Sequence, residues 1–157
     1  MQPMIHGTAI SIGGYAVLIM GGSGSGKSDL ALRLIDRGAI LISDDVVFLE
    51  TLENAPILTV ASNIAGKIEV RGVGISNVDF IASAPLRLVV ELVDSTDRLP
   101  EDVARTIIGD YFVPLSKLNP FEQSSAIKVE YALRAVLDSG VRPEFVSASI
   151  VKESLLS

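Results

Sequence analysis

Runs of apolar residues broken by glycines predict strands and helices in alternation along the chain. Two β-type runs, 8–12 and 15–20, are separated by Gly13-Gly14, and paired glycines between such runs predict a tight hairpin. Apolar residues then recur at helical spacing over 28–37, and Gly38 follows as a helix stop. The second strand therefore leads into a helix through a glycine-rich turn.

Four further apolar runs have the length of strands: 39–42, 46–49, 67–75 and 86–93. A polar connection follows at 94–102, and helical spacing returns over 126–137, with Gly140 as the stop. The last segment, 144–157, is predicted as a weaker helix or a frayed end. Strands that alternate with helices predict an α/β fold, in which helices flank a sheet.

Composition fits this class of fold. The chain has 157 residues, of which 48% are hydrophobic, so it can form a folded core. Only 5% are aromatic and Trp is absent, so we expect a core of Val, Ile, Leu and Ala, as in parallel strands buried on both faces. No repeat or linker interrupts the pattern, and we interpret 1–157 as a single domain.

Charge and cysteine content exclude several function classes. The 13 basic and 19 acidic residues give a net charge of -6 without long runs of either sign, so nucleic acid and anionic membranes are not expected partners. The absence of cysteine excludes disulfides and thiolate metal sites. No leader pattern is found, and no apolar stretch approaches the roughly 18 residues that span a bilayer. We expect a cytoplasmic protein.

The glycine-rich turn matches the phosphate-binding pattern G-x-x-x-x-G-K-[ST]. Its residues are Gly21, Gly22, Ser23, Gly24, Ser25, Gly26, Lys27 and Ser28. Glycines let consecutive backbone N–H groups point inward, and the helix that follows adds its positive end, so the turn can cradle phosphate. Lys27 can reach the β- and γ-phosphates, and the Ser28 hydroxyl is placed to ligate Mg²⁺. The pattern predicts ATP binding.

Two aspartates follow the next predicted strand. Asp44 and Asp45 come directly after 39–42. If that strand lies beside the first strand, both carboxylates emerge at the sheet edge that carries Lys27, where open α/β sheets bind ligands. Adjacent residues on a strand point to opposite faces, so we expect one aspartate to face the phosphate and the other to face the metal or the sheet interior, and spacing does not decide which.

Together, these motifs resemble the catalytic domain of the HPr kinase/phosphorylase family, bacterial enzymes that phosphorylate a serine of the phosphocarrier protein HPr. Four stretches carry the resemblance: Ile5-His6-Gly7-Thr8, GGSGSGKSD at 21–29, RGAILISDD at 37–45, and IEVRGVGISNV at 68–78. The last is the family's signature segment. The resemblance runs from about residue 5 to residue 137, and it implies the fold of the HPr kinase catalytic domain.

The resemblance also implies roles for individual residues. Ser28 and Glu69 correspond to Mg²⁺ ligands. The Asp44–Asp45 pair contains the general base of the kinase direction, and the alignment favours Asp45. From spacing alone, Glu69 and Arg71 are two residues apart on a predicted strand and share a face, where Glu can serve a cation.

Further active-site residues follow from the same resemblance. His6 and Lys27 match family positions, and Arg98, in the Asp97-Arg98-Leu99 triplet, matches an active-site arginine. Expected cofactors are ATP and Mg²⁺, and the expected partner is an HPr-type phosphocarrier protein. Because long-form relatives assemble as hexamers, we also expect a homo-oligomer.

Two departures from the family pattern shape the expected activity. The chain begins almost at the His-Gly motif, so it resembles a short form that contains only the kinase domain. Residues 113–120, VPLSKLNP, stand where the family has a basic, glycine-containing segment linked to dephosphorylation. We therefore expect the kinase reaction and not the phosphorylase reaction.

Two alternatives stay open. The same loop and aspartates would serve a small-molecule or carboxykinase-like phosphotransferase. A regulatory module that binds ATP without transferring phosphate is the other alternative. The segment 68–78 favours HPr as the acceptor, and a base candidate beside the loop favours catalysis, since a sensor needs no base.

Overall fold

The computed structural model describes residues 3–94 and 104–146. Within them the strands are β1 (Met4–His6), β2 (Thr8–Ile12), β3 (Tyr15–Met20), β4 (Ile40–Ser43), β5 (Val46–Leu52), β6 (Ala55–Val60), β7 (Lys67–Val70), β8 (Gly74–Asn77), β9 (Ser83–Leu92), β10 (Arg105–Ile108), β11 (Tyr111–Leu118) and β12 (Glu144–Phe145). The helices are α1 (Lys27–Asp36), α2 (Ser125–Ser139) and a short 3₁₀ helix, Ser62–Ile64. Neither α-helix is long and apolar enough to cross a membrane.

Ten of these strands form one mixed sheet around β9. The second half of β9 pairs in parallel with both β3 and β11. Beyond β3 the order continues with β2 and then β4, and each neighbouring pair is antiparallel. Since β2 runs opposite to both of its neighbours, β3 and β4 run in the same direction and end at the same edge of the sheet.

Apolar side chains form two cores, one on each face of the sheet. On the first face, Leu30 and Leu34 of α1 pack with Leu133 of α2 against the sheet. On the second face, strands of the sheet itself enclose a cluster that contains Leu58 and Tyr111. Burying an aliphatic side chain of this size stabilises the fold by about 1.5–3 kcal/mol. The first core fixes α1, and with it the glycine-rich turn, against β3.

The structure confirms the α/β class and the main predicted elements. The runs 8–12 and 15–20 form β2 and β3, and Gly13 and Gly14 turn between them at φ 58 and 89. The first predicted helix is α1 and the second is α2, which ends at Gly140 with φ 75.

Three sequence expectations need correction. Residues 67–75 form a hairpin of β7 and β8 and not one strand, because Gly72 turns the chain at φ 83. The strand that precedes the aspartates, β4, lies beside the first predicted strand, β2, but the two are antiparallel, so the sheet is mixed and not wholly parallel. Residue 144 begins the short strand β12 rather than a helix; most of 94–102 and residues 147–157 lie outside the described residues.

Candidate active site

The glycine-rich turn joins β3 to α1 in a compact loop. Gly24 and Gly26 have φ 75 and 100, in the left-handed region that favours glycine. The Ser25 N–H donates to the Gly22 carbonyl over 3.1 Å, and the Leu30 N–H donates to the Gly26 carbonyl over 2.9 Å. The helix therefore begins directly behind the loop, with its positive end toward the loop.

Lys27 folds back over this loop. Its Nζ atom donates hydrogen bonds to the carbonyl oxygens of Gly21 and Gly22, each over 3.0 Å. An ammonium group has three N–H donors, so one is left for a ligand while these two bonds hold the charge above the loop.

The Ser25 hydroxyl is the buried polar group of the loop. Its Oγ atom has no hydrogen-bond partner among the described residues. A Cβ atom at Gly21 would lie 2.5 Å from this oxygen, so the close approach of the two residues requires glycine. A buried hydroxyl without a partner is uncommon in folded proteins.

Asp44 joins three separate segments of the chain. Its Oδ1 atom accepts hydrogen bonds from the Thr8 hydroxyl over 2.9 Å and from the Ser28 hydroxyl over 2.7 Å. Its Oδ2 atom accepts from the backbone N–H of Glu69 over 3.0 Å. The residue is only 6% exposed, so its carboxylate is a buried anchor for the first turn of α1 and for β7.

Asp45 has the opposite environment. It is exposed, and its side chain makes no hydrogen bond or ion pair within residues 3–94 and 104–146. Its φ of 65 belongs to a three-residue turn closed by the Val46 N–H, which donates to the Asp44 carbonyl over 2.7 Å. Such γ-turns are strained, and backbone strain of this kind costs about 1–3 kcal/mol. The exposed Asp45 carboxylate therefore directly follows the buried one of Asp44 in the chain.

A cavity of about 900 Å³ lies between the loop and the β7–β8 hairpin. It is lined by loop residues 23–28, both aspartates and Glu69. Lys67 and Arg71 add two cations to that of Lys27, against the four carboxylates of Asp29, Asp44, Asp45 and Glu69. Because the carboxylates outnumber the cations, a polyphosphate would need a bound cation to offset the repulsion.

The donor set fits Mg²⁺ better than a metal held by protein alone. Among the described residues, no group of three or more His, Cys, Asp or Glu side chains forms a metal cage. Mg²⁺ usually takes one or two carboxylates and completes its coordination with waters and substrate phosphates. The Ser28 hydroxyl and the exposed Glu69 carboxylate, both at the cavity wall, suit that arrangement.

Comparison with known proteins identifies the family. The family model described as HPr Serine kinase C-terminal domain matches residues 1–119. This chain belongs to the HPr serine kinase C-terminal domain family. The resemblance found in the sequence is thereby confirmed.

Curated relatives agree with this family. The HPr kinase/phosphorylase of Mycoplasmopsis pulmonis is 34% identical over 141 residues, which cover 78% of this chain and 44% of the relative. That of Geobacter sulfurreducens is 34% identical over 168 residues, which cover 98% of this chain and 52% of the relative. The chain thus spans about half the length of these curated relatives.

A solved structure shares the fold. The HPr(Ser) kinase/phosphatase of Coxiella burnetii has a TM-score of 0.74 and 28% sequence identity, and the match covers 85% of this chain and 89% of that chain. The mixed sheet with its two helices is therefore an HPr kinase-like architecture.

Among the described residues, His6 is a predicted active-site residue that does not line the cavity. His6 is exposed on β1, opposite Val46 across the β1–β5 pair, and so stands beside the Asp45 turn. Arg98 lies outside the described residues, and its role stays a prediction. Gly21 and Gly22 shape the loop from behind, through their carbonyls, rather than lining the cavity.

The structure adds residues that the sequence did not single out. Lys67 lines the cavity together with Glu69. The two residues are two apart on β7 and so share a face, which was the signal in the sequence that could have identified Lys67. Phe121, 74% exposed at the cavity rim, lies near Gly26 although 95 positions separate them, so no local pattern reveals it. The role of Thr8 depends on its contact with Asp44, from which 36 positions separate it in the sequence.

Proposed function

We propose that this chain is an ATP- and Mg²⁺-dependent serine kinase domain, spanning 1–157, that phosphorylates an HPr-type phosphocarrier protein. Family membership supports the reaction class. The observation that carries the proposal is the hydrogen bond of 2.7 Å from the Ser28 hydroxyl to Asp44. The exposed Asp45 carboxylate comes next in the chain, and the glycine loop lines the same cavity. A cavity of about 900 Å³ is within the size range of nucleotide sites.

The triphosphate binds along the loop. Backbone N–H groups of residues 22–27 and the positive end of α1 offset the phosphate charge. Lys27 turns its third N–H toward the β- and γ-phosphates while its bonds to Gly21 and Gly22 keep it in place.

Ser28 and Glu69 hold Mg²⁺, with Asp44 behind them. When bound, Mg²⁺ neutralises charge on the phosphate oxygens. Asp44 already holds the Ser28 hydroxyl and the Glu69 backbone, so one buried carboxylate orients both ligand-bearing residues. Such support from behind fixes ligand geometry.

Asp45 is the proposed general base. A carboxylate without a competing partner can accept the proton of a serine hydroxyl as the serine oxygen bonds to the γ-phosphorus of ATP, while the bond from that phosphorus to the bridging oxygen breaks and ADP leaves. Lys27 offsets negative charge on the transferring group. His6 and Arg98 are included in the active site on the family resemblance, and His6 stands beside the Asp45 turn.

The proposal also covers direction, assembly and location. Residues 113–120 form most of β11 and the turn after it, without the basic segment that the resemblance links to dephosphorylation, so the proposed reaction is the kinase direction. The chain acts as a homo-oligomer, a hexamer by resemblance. It works in the cytoplasm, where ATP and a phosphocarrier are both present.

A substrate screen tests this function. Purified protein is incubated with labelled ATP and Mg²⁺, first with HPr and then with a panel of small metabolites. Label on a serine of HPr is the expected result. Label on a metabolite alone would favour the small-molecule phosphotransferase, and saturable ATP binding without any labelled product would favour the regulatory module.

A further inference from the structure

Thr8 contacts both aspartates through one hydroxyl group. The residue is the first of β2 and is fully buried. Its Oγ1 atom donates to Asp44 Oδ1 over 2.9 Å and accepts from the Asp45 backbone N–H over 3.2 Å. A hydroxyl group has one donor, which here bonds to the buried Asp44, and one of its acceptor sites bonds to the exposed Asp45.

The contact to Asp45 bears on its strained backbone. Asp45 sits at φ 65, and its own carbonyl accepts from the Gly7 N–H over 2.9 Å. Gly7 and Thr8 therefore hold the Asp45 residue from both sides, through its C=O and its N–H. A strained turn persists only where its surroundings over-determine it, so these two bonds keep the exposed carboxylate on the cavity wall.

The contact to Asp44 bears on the metal side. Thr8 and Ser28 share the Oδ1 atom, and the Glu69 N–H holds Oδ2. The Ser28 hydroxyl can offer a lone pair to a cation while its hydrogen stays bonded to Oδ1. Thr8 donates to the same oxygen, and with the Glu69 N–H on Oδ2 it fixes the orientation of the buried carboxylate.

We propose that Thr8 is a positioning residue that couples the two aspartates: its hydroxyl orients Asp44 for the metal ligands and holds the turn that presents Asp45 to the acceptor. This inference rests on the proposed function. Thr8 is fully buried and does not line the cavity, so it acts through its neighbours.

A substitution that keeps the side-chain volume at position 8 but removes the hydroxyl distinguishes this positioning role from a packing role. Backbone bonds pair β2 with β3, with Thr8 opposite Ile19, and they do not need the hydroxyl. Valine has the same shape as threonine and suits a strand. Thr8→Val therefore removes the two side-chain bonds while the fold of β2 is kept.

The test compares Thr8→Val with Thr8→Ser and with Thr59→Val as a matched control. Thr59 lies on β6 and does not line the cavity, and among residues 3–94 and 104–146 its hydroxyl bonds only to the Phe48 carbonyl, over 3.5 Å. Initial rates of HPr phosphorylation give kcat and KM. Binding of a fluorescent ATP analogue, measured with Mg²⁺ and with EDTA, needs no acceptor protein.

We expect kcat of Thr8→Val to fall about 10–100-fold, as is typical when support behind a metal ligand is lost. KM for HPr should stay unchanged, and the gain in nucleotide affinity from Mg²⁺ should shrink by a similar factor, while affinity in EDTA stays. Thr8→Ser should restore kcat and the Mg²⁺ effect, and Thr59→Val should match wild type.

The outcomes separate two failures. Wild-type protein that forms no phosphorylated HPr contradicts the proposed function. The nucleotide affinities with Mg²⁺ and with EDTA, compared between wild type and Thr8→Val, then test the positioning role of Thr8 by themselves. Thr8→Val with wild-type kcat and Mg²⁺ effect, or Thr8→Ser as impaired as Thr8→Val, overturns the positioning role. If thermal melting shows Thr8→Val unfolded, Thr8→Ala replaces it, since it differs from Thr8→Ser only in the hydroxyl.

Discussion

The Ser28 hydroxyl donates a 2.7 Å hydrogen bond to Asp44 Oδ1. Ser28 lies in the first turn of α1 and Asp44 directly follows β4, so this bond joins the glycine loop to the sheet edge where β3 and β4 both end. The neighbouring Asp45 also lines the cavity, but it is exposed whereas Asp44 is buried. Two adjacent carboxylates thus have different surroundings, and substitution should separate their effects.

Asp44→Asn should destabilise the protein, whereas Asp45→Asn should not. An amide NH₂ cannot accept a hydrogen bond, so at least one donor among the Thr8 hydroxyl, the Ser28 hydroxyl and the Glu69 N–H loses its partner. We expect the free energy of unfolding to fall by about 1–3 kcal/mol in Asp44→Asn. For exposed Asp45 the change should stay within about 0.5 kcal/mol. Urea unfolding measures both, and equal losses would contradict the assignment of the buried and exposed partners.

Lys27→Ala should reduce kcat for HPr phosphorylation by about 10²–10³-fold, the effect of removing one preorganised donor from a developing charge. The fold should be kept, since the Lys27 Nζ atom bonds only to loop carbonyls among the described residues. The control is Lys117→Ala, at an exposed position on β11. A Lys27→Ala variant with wild-type kcat would remove the lysine from the reaction.

Alanine scanning of two adjacent glycines tests the loop geometry. A Cβ atom at Gly21 would meet Ser25 Oγ at 2.5 Å, whereas a Cβ atom at Gly22 would meet nothing within 4 Å. Gly21→Ala should therefore distort the loop and weaken nucleotide binding, while Gly22→Ala should affect binding much less. Isothermal titration with ATP and Mg²⁺ gives the comparison. The reverse order of affinities would mean that the loop has a different shape.

Glu69→Gln should lower the affinity for Mg²⁺ without lowering the stability of the fold. The backbone N–H that holds Asp44 is unchanged by the substitution, and the side chain is exposed. Removing one metal-binding carboxylate should raise the Mg²⁺ concentration for half-maximal HPr phosphorylation by about 10–100-fold. The control is Glu53→Gln, in the exposed turn between β5 and β6. An unchanged Mg²⁺ requirement would place the metal ligand elsewhere.

Local patterns predicted the parts of the fold that depend on neighbours in sequence. The glycine pair at 13–14 and the glycine loop before Lys27 define their turns by backbone freedom alone, and both occur where the pattern indicated. Strand β11 was missed because Pro114 and Lys117 interrupt its apolar pattern. Its place beside β9 follows from tertiary packing, which overrides local propensity.

The candidate site divides in the same way. Loop residues and the aspartate pair could be found from spacing, since each lies at the end of a predicted strand. The split between a buried Asp44 and an exposed Asp45 depends on Thr8, 36 positions away, and on the hairpin that brings Glu69. Sequence spacing leaves such pairings open, and so it could not assign the two roles.

Mass-spectrometric mapping of phosphate on HPr tests the proposed kinase most directly. Wild-type protein, Asp45→Asn and the control Asp138→Asn, an exposed site on α2, are each incubated with ATP, Mg²⁺ and HPr. We predict one phosphoserine on HPr with wild type and with Asp138→Asn, and no detectable phosphate with Asp45→Asn. Unmodified HPr in the wild-type reaction, or equal modification by Asp45→Asn, would contradict transfer by this pair of aspartates.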